Sequence, residues 1–82
     1  MPSATAREFQ RVARILGFVL VRQEGSHARW NHPDGRAVTI PVHGGEEIGS
    51  PLFNKILWQL GITQDEFQKL ARSKKAFDFA RI

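Results

Sequence analysis

Apolar residues near the start of the chain recur at the spacing of an α-helix. The stripe that they form consists of Phe9, Val12, Ala13 and Leu16. Thr5 with Glu8 three residues later has the pattern of a capping box, and Gly17 is a typical residue just beyond a helix C-terminus. The pattern therefore predicts a helix over residues 6–16.

After this helix the pattern changes to that of β-strands. Runs rich in β-branched and aromatic residues predict strands over residues 18–23, 27–32 and 36–42. Gly25-Ser26 is the first turn and Pro33-Asp34-Gly35 the second, since proline fixes φ and glycine accepts a positive φ. Three short antiparallel strands need a cover on one face, which the helices can supply.

Two further helices are predicted in the second half of the chain. Residues 43–49 form a loop by their glycines, and Ser50-Pro51 then has the residue types of an N-cap and a first helical position. The apolar stripe that follows ends at Gly61, and Thr63 with Glu66 is a second capping box that opens a short helix. The resulting order is αβββα plus a short helix, which is an α+β domain with a helix-backed sheet.

Composition limits the class of protein. Its 82 residues suffice for one domain and are too few for two, so we expect a single domain over residues 1–82. The absence of cysteine excludes a disulfide scaffold and a Cys nucleophile, and it fits a reducing, cytoplasmic location. The longest uncharged apolar run, residues 17–21, is far shorter than a membrane-spanning helix, so no membrane partner is expected.

The charge balance indicates the kind of partner. Twelve Lys and Arg against eight Asp and Glu give a net charge of +4 and a pI near 10.4. A basic domain of this size points to nucleic acid or to an acidic protein. Arg7, Arg11 and Arg14 fall on the face of the first helix opposite Phe9, where they can meet phosphates or form an ordinary solvated face.

Alternation with period two divides the second predicted strand into two faces. Ala28 and Trp30 share one face, and His27, Arg29 and Asn31 share the other. The apolar set should face the helices, so the polar set should face away from them. The first predicted strand is apolar on both faces over most of its length, which leaves its orientation open.

His27 is the histidine that this pattern singles out. It begins a strand directly after Gly25-Ser26, and a side chain at a strand end can reach a substrate. An imidazole titrates near pH 6.5, and RNA carries its own nucleophile in the 2′-hydroxyl. One base, one acid and cations on the phosphate therefore suffice for cleavage, and Arg29 and Arg22 are the nearest cations. A surface histidine without a catalytic role is the alternative.

Other chemistries find less support in the sequence. His27, His32 and His43 are not paired at helical spacing, and no HExxH motif is present, so neither a metal nor a cofactor is expected. Gly44-Gly45 lacks the pattern of a phosphate-binding loop. Ser26 beside His27 is not part of a nucleophile elbow.

Four segments, in their order and spacing, carry a resemblance to a known family. They are Leu16-Gly17-Phe18, Gly25-Ser26-His27, His32-Pro33-Asp34-Gly35-Arg36 and Ile40-Pro41-Val42-His43. Over residues 6–70 the chain resembles the HicA family of small toxins, also called the YcfA-like family. The resemblance implies a double-stranded-RNA-binding-domain-like αβββα fold and an mRNA interferase that arrests translation by cutting RNA.

The resemblance also implies partners and site residues. Its substrate would be single-stranded mRNA, and a HicB-type antitoxin would cover the active site. The catalytic histidine of the family follows the Gly-Ser of the second strand and carries over onto His27, and the glycine of that motif onto Gly25. The predicted site thus has His27 as catalytic residue and, for RNA binding, Arg7, Arg11, Arg14, Arg22, Gly25, Ser26 and Arg29.

Two other functions stay open at this point. A non-catalytic RNA-binding module of the same fold would grip phosphates with a lysine cluster near the start of the last large helix, where this chain has Lys55 alone. A protein-interaction module is the other, because Trp58 lies off the apolar stripe of that helix and an exposed Trp is a good interface anchor. Contact of Trp58 with the short third helix or the basic tail is the alternative.

Overall fold

The structure is a computed structural model that describes residues 2–42, 45 and 47–72. Its elements are β1 (Ser3–Thr5), α1 (Ala6–Ile15), β2 (Val19–Glu24), β3 (His27–Asn31), β4 (Ala37–Pro41), β5 (Glu47–Gly49), α2 (Leu52–Leu60) and α3 (Gln64–Arg72). Strands β2, β3 and β4 form an antiparallel sheet in that order. The predicted α+β class and αβββα order are confirmed, and the basic tail from Ser73 lies outside the described residues.

A second, two-stranded sheet is absent from the sequence prediction. β1 and β5 pair antiparallel, with Ala4 opposite Ile48, and both of these side chains are buried. The predicted loop over residues 43–49 is therefore wrong for Glu47–Gly49. Each of these strands is three residues long, which is too short for alternation to show in the sequence.

The two capping boxes form as predicted. The hydroxyl of Thr5 accepts from the Glu8 N–H at 3.2 Å, and the Glu8 carboxylate accepts from the Thr5 N–H at 2.9 Å. The same exchange at 3.1 Å and 2.8 Å joins Thr63 and Glu66. Each box satisfies backbone donors that a helix start leaves unpaired, which is why α1 and α3 begin where the sequence indicates.

The predicted start of α2 is wrong by one residue. Pro51 takes the N-cap position without a side-chain cap, and the helix begins at Leu52. The hydroxyl of Ser50 instead accepts a hydrogen bond from the side-chain amide of Asn54 at 3.2 Å. Ser50 is therefore engaged by a side chain of the first turn rather than by its backbone.

The hydrophobic core lies between one face of β3 and β4 and the three helices. The sheet contributes Ala28, Trp30, Val38 and Ile40, each at most 2% exposed. Each helix contributes one ring to a cluster of Phe9, Phe53 and Phe67, with centroids 4.8–5.7 Å apart. α1 and α2 cover this face at β4, and α3 packs against these two helices. β2 is exposed along its length, with Leu20 at 43%, and the opposite face of the sheet is left to solvent.

The turn between β3 and β4 is attached to the C-terminal ends of two helices. His32 Nε2 lies 3.1 Å from the carbonyl oxygen of Leu16, at the end of α1. Arg36 donates from Nη1 to the carbonyl oxygen of Leu60, at the end of α2, and from Nε to Asp34 at 2.8 Å. The last carbonyls of a helix have no partner within it, so these side chains satisfy them and hold the hairpin in place.

Gly61 ends α2 in a conformation that favours glycine. Its φ is 78°, in the left-handed region. A Cβ at this position would lie 2.9 Å from Nη1 of Arg36, which crosses above it to reach Leu60. Both the backbone conformation and this close approach explain the predicted helix end at Gly61, which is confirmed.

Asp34→Asn should lower the thermal stability at neutral pH. The backbone N–H of Arg36, and then its guanidinium, hold the pKa of the Asp34 carboxyl below its ordinary value of 3.8. A carboxylate with a lowered pKa stabilises the folded state above its unfolded pKa, and this contribution is lost as the pH falls through the folded pKa. The difference in Tm between wild type and Asp34→Asn should therefore shrink below about pH 4.

Thermal denaturation at several pH values between about 2 and 7 measures this difference. Asp65→Asn is the matched control, because Asp65 forms an exposed ion pair with Lys69 at 3.2 Å on α3. Exposed pairs of that kind contribute little, so its Tm should differ little from wild type at any pH. A Tm difference for Asp34→Asn that does not depend on pH would contradict the role of the carboxylate.

Candidate active site

The face of the sheet turned away from the helices, called here the open face, is arranged in three rows across the strands. The register gives a histidine row (Glu24, His27, Pro41), an arginine row (Arg22, Arg29, Thr39) and an asparagine row (Val19, Asn31, Ala37). Neighbouring rows are two residues apart along a strand, which is about 6.6 Å. The predicted exposure of the polar set of β3 on this face is confirmed by its burial pattern.

His27 lies at one end of this face. It is exposed and follows the two-residue turn Gly25-Ser26, in which Gly25 has a φ of 56°. A positive φ at the first turn position is what a tight hairpin of this length needs. Among the described residues no side-chain hydrogen bond engages the imidazole, so its nitrogens are open to a bound molecule.

The open face is accessible next to His27 as well. A Cβ built on Gly25 would meet no atom within 4 Å, so the turn leaves room for a ligand beside the strand. The Ser26 carbonyl accepts from the Val42 N–H at 2.7 Å, which fastens the turn to the end of β4. His27 is thus exposed on a backbone that is held on both sides.

Arg22 and Arg29 lie directly opposite each other in the arginine row. Like charges in this arrangement repel, so the pair does not stabilise the sheet by itself. Arg29 Nη1 is 3.4 Å from the Thr39 hydroxyl, and Arg22 Nε is 3.7 Å from the Glu24 carboxylate. Exposed contacts of this kind are worth about 0–1 kcal/mol, so an anion can compete for both guanidinium groups.

A β-bulge brings Arg22 onto this face. Val19 pairs with Asn31 and Leu20 with Trp30, but the next pair joins Arg22 to Arg29, so Val21 is an extra residue. With regular pairing Val21 would lie opposite Arg29, and Arg22 would turn toward the helices. A bulge re-aims the side chains that follow it, and here it places a second cation beside Arg29.

Three polar residues of the open face, Glu24, Thr39 and Asn31, were not among the predicted site residues. Glu24 lies opposite His27, and the two-residue turn between them fixes this pairing, so the sequence contained the signal. Thr39 lies opposite Arg29 and contacts its guanidinium, as the alternation of β4 could have indicated. All three belong to the surface on which a ligand of His27 would rest.

The helix arginines lie elsewhere. α1 packs on the covered face of the sheet, and its outer side is on the opposite side of the molecule from the histidine row. Arg11 donates to the Ala71 carbonyl oxygen at 2.8 Å, which ties α1 to α3. The Arg14 guanidinium lies 5.4 Å from the ring centroid of Trp30, and Arg7 is exposed. The structure does not bring these three arginines together with the arginine row.

Trp58 is exposed on α2. Its exposed fraction is 80%, so it is not packed against α3, and the basic tail, the other partner that the sequence left open, lies outside the described residues. Leu52, six residues earlier on the same helix, is 40% exposed and lies about 120° around the helix from Trp58. Both side chains are on α2, which packs on the covered face, and so they are separate from the open face.

The described residues (2–42, 45 and 47–72) contain no metal-binding cluster, since no three of their His, Asp or Glu side chains lie close enough together to hold an ion. His32 is occupied with the Leu16 carbonyl, and His43 lies outside the described residues. Within the same ranges no helix is long and apolar enough to cross a membrane.

These observations define a class of protein: an αβββα domain resembling double-stranded-RNA-binding domains, with a histidine and two arginines exposed on its open face. The profile of a family described as the HicA toxin of bacterial toxin–antitoxin systems matches residues 6–62, which is more than half of the chain. The chain therefore belongs to the HicA family, and it is the toxin of such a system, with an antitoxin as partner. No curated protein matches the chain.

His27→Ala should leave the free energy of unfolding within about 0.5 kcal/mol of wild type, because the side chain is exposed and its removal leaves no buried cavity. Trp30→Ala, on the covered face of the same strand, should cost about 3–5 kcal/mol. Urea denaturation of the two variants measures both values. A loss above about 1 kcal/mol for His27→Ala would make His27 a structural residue.

Proposed function

We propose that this HicA-family toxin is an endoribonuclease that cleaves single-stranded mRNA without a metal ion. The observation that carries the proposal is the arrangement of His27 and the Arg22–Arg29 pair on adjacent rows of one exposed sheet face. A proton-transfer group and two cations about 6.6 Å apart match what cleavage of an RNA phosphodiester needs. Because mRNA is the substrate, the proposed place of action is the cytoplasm.

The chemistry follows from the substrate itself. The 2′-oxygen attacks the adjacent phosphorus, the bond from phosphorus to the 5′-oxygen breaks, and the products carry a 2′,3′-cyclic phosphate and a 5′-hydroxyl. One proton leaves the 2′-hydroxyl and one is added to the 5′-oxygen. His27 serves as base for the first or as acid for the second, since an imidazole can do either near neutral pH.

The arginine row would stabilise the charge that develops on the phosphate. In the transition state the non-bridging oxygens carry more negative charge than in the bound RNA, so cations placed beside them lower the barrier. Arg22 and Arg29 are already held side by side by strand pairing, and β3 is fixed by the buried Ala28 and Trp30 on its other face, so little reorganisation is needed. Gly25 and Ser26 would let the RNA chain pass close to the turn.

The helix arginines are proposed to act at longer range. Arg7, Arg11 and Arg14 face away from the histidine row, so they cannot contact the phosphate being cleaved. They raise the positive potential of the domain and so attract RNA in a manner that salt screens. A HicB-type antitoxin with an acidic surface would use the arginine row as well, and it would then inhibit by covering the open face.

His27→Ala should abolish RNA cleavage. Purified wild type and His27→Ala are incubated with a single-stranded RNA in excess EDTA, and the termini of the products are analysed. We expect wild type to yield 2′,3′-cyclic phosphate ends and the variant to be at least about 100-fold slower. Trp58→Ala, also exposed but on α2, should cleave like wild type.

Each other result has a defined meaning. Equal cleavage by wild type and His27→Ala would exclude His27 as the proton-transfer group. Loss of wild-type cleavage on addition of EDTA would contradict a metal-free mechanism. RNA binding without cleavage by either protein would instead support the non-catalytic RNA-binding module.

Removing one charge from the arginine row should reduce cleavage far more than removing one from α1. Arg29→Gln should lower kcat/KM by roughly 100-fold, because it removes a donor at the developing charge. Arg7→Gln changes the net charge by the same amount but lies on the other side of the sheet. Its effect should stay within about twofold and vanish at high salt. Equal effects of the two substitutions would show that net charge alone matters.

A further inference from the structure

The asparagine row differs in chemistry from the rest of the open face. Asn31 is exposed at its centre, flanked by Val19, 59% exposed, and by the half-buried Ala37. The other two rows contain charged side chains, whereas this row is uncharged. An uncharged row cannot attract phosphate by charge, so on the proposed RNA surface it would contact another part of the nucleotide.

The rows have a fixed order along β3. The histidine row lies on one side of the arginine row, and the asparagine row lies on the other at about the same spacing of 6.6 Å. On the proposed function, the cleaved phosphate lies between His27 and the arginine pair. The base of an adjoining nucleotide can then extend to the asparagine row, which lies about one and a half row spacings, or about 10 Å, from that phosphate.

The Asn31 side chain suits the edge of a base. An amide presents one acceptor and two donors side by side, and its most frequent partner on nucleic acids is adenine, through N6 and N7. Within the described part of the chain no side-chain hydrogen bond engages the Asn31 amide, whereas Thr39 in the next row contacts Arg29. Val19 and Ala37 lie on either side, and apolar neighbours shield such hydrogen bonds from water.

We propose that Asn31 is a specificity residue that selects adenine in a nucleotide flanking the cleaved phosphate. The inference deepens the proposed ribonuclease function and rests on it for the position of the phosphate. Val19 and Ala37 form the walls of this base site. Selection is separate from the chemistry, since Asn31 and His27 are four residues apart on β3 with the arginine row between them.

The test uses DNA oligonucleotides that contain a single ribonucleotide. Cleavage needs a 2′-hydroxyl, so the ribonucleotide defines the one phosphate that can be cut. The base of the ribonucleotide and the base that follows it are each varied through A, C, G and U or T. Wild type should cleave the adenine substrate about 10-fold faster, in kcat/KM, at one of the two positions.

Asn31→Ala should remove this preference by lowering cleavage of the adenine substrate to that of the others. The matched control is Asn54→Ala, which removes an exposed asparagine from α2 and should keep the preference. Equal cleavage of all four bases by wild type, or a preference that survives Asn31→Ala, would overturn the inference and leave the nuclease function standing. A preference for another base that Asn31→Ala removes would overturn the assignment to adenine.

A binding experiment separates failure of this inference from failure of the proposed function. His27→Ala is titrated with fluorescent all-deoxy oligonucleotides of the same sequences, and Kd is measured by anisotropy with and without Asn31→Ala. One outcome is that wild type cleaves no oligonucleotide, while the Kd values still show an adenine preference that depends on Asn31. In that case base selection stands and the nuclease proposal fails. If neither cleavage nor binding occurs with any oligonucleotide, both proposals fail.

Discussion

The structure depends on the burial of one face of β3 and β4 beneath the helices. Period-two alternation sends Ala28, Trp30, Val38 and Ile40 to the core, where they meet the phenylalanine cluster of the helices. The same alternation necessarily sends the residues between them to the other face. The exposure of His27 and Arg29 is therefore a consequence of core packing, and a one-residue slip of β3 would bury them and expose Trp30.

Much of the site could be predicted because it lies on β3 and β4, where alternation is regular. Arg22 could not be assigned to a face, since the bulge at Val21 reverses the alternation of β2 and a run of Val19, Leu20 and Val21 carries no signal of where the bulge falls. The pairing of Glu24 with His27 could be predicted from the two-residue turn. Helical periodicity puts the arginines of α1 on one side of the helix, but it does not show that Arg11 reaches α3 and Arg14 reaches Trp30 of the sheet.

For the fold, sequence patterns that pair two specific side chains at a fixed spacing predicted helix starts correctly. Patterns that rest on one residue type, and strands that pair across long sequence distances, were predicted less well or not at all. The boxes at Thr5 and Thr63 pair one hydroxyl with one carboxylate at fixed spacing, so the pattern is nearly sufficient for the structure. Ser50 has the right residue type for an N-cap, but Asn54 competes for its hydroxyl. β1 and β5 form only because residues 44 positions apart, Ser3 and Glu47 among them, are brought together by the tertiary fold.

On the proposed function, the opposed arginines Arg22 and Arg29 would take part both in RNA cleavage and in its inhibition by the antitoxin. Their repulsion is tolerated because the core beneath holds the strands together, and an anion bound between them relieves it. A phosphate of RNA and a carboxylate of an acidic antitoxin can both do so, hence each would exclude the other from one small surface. On the proposed function, inhibition then needs no conformational change in the toxin. The sheet that would orient His27 for cleavage would then also present the surface that the antitoxin covers.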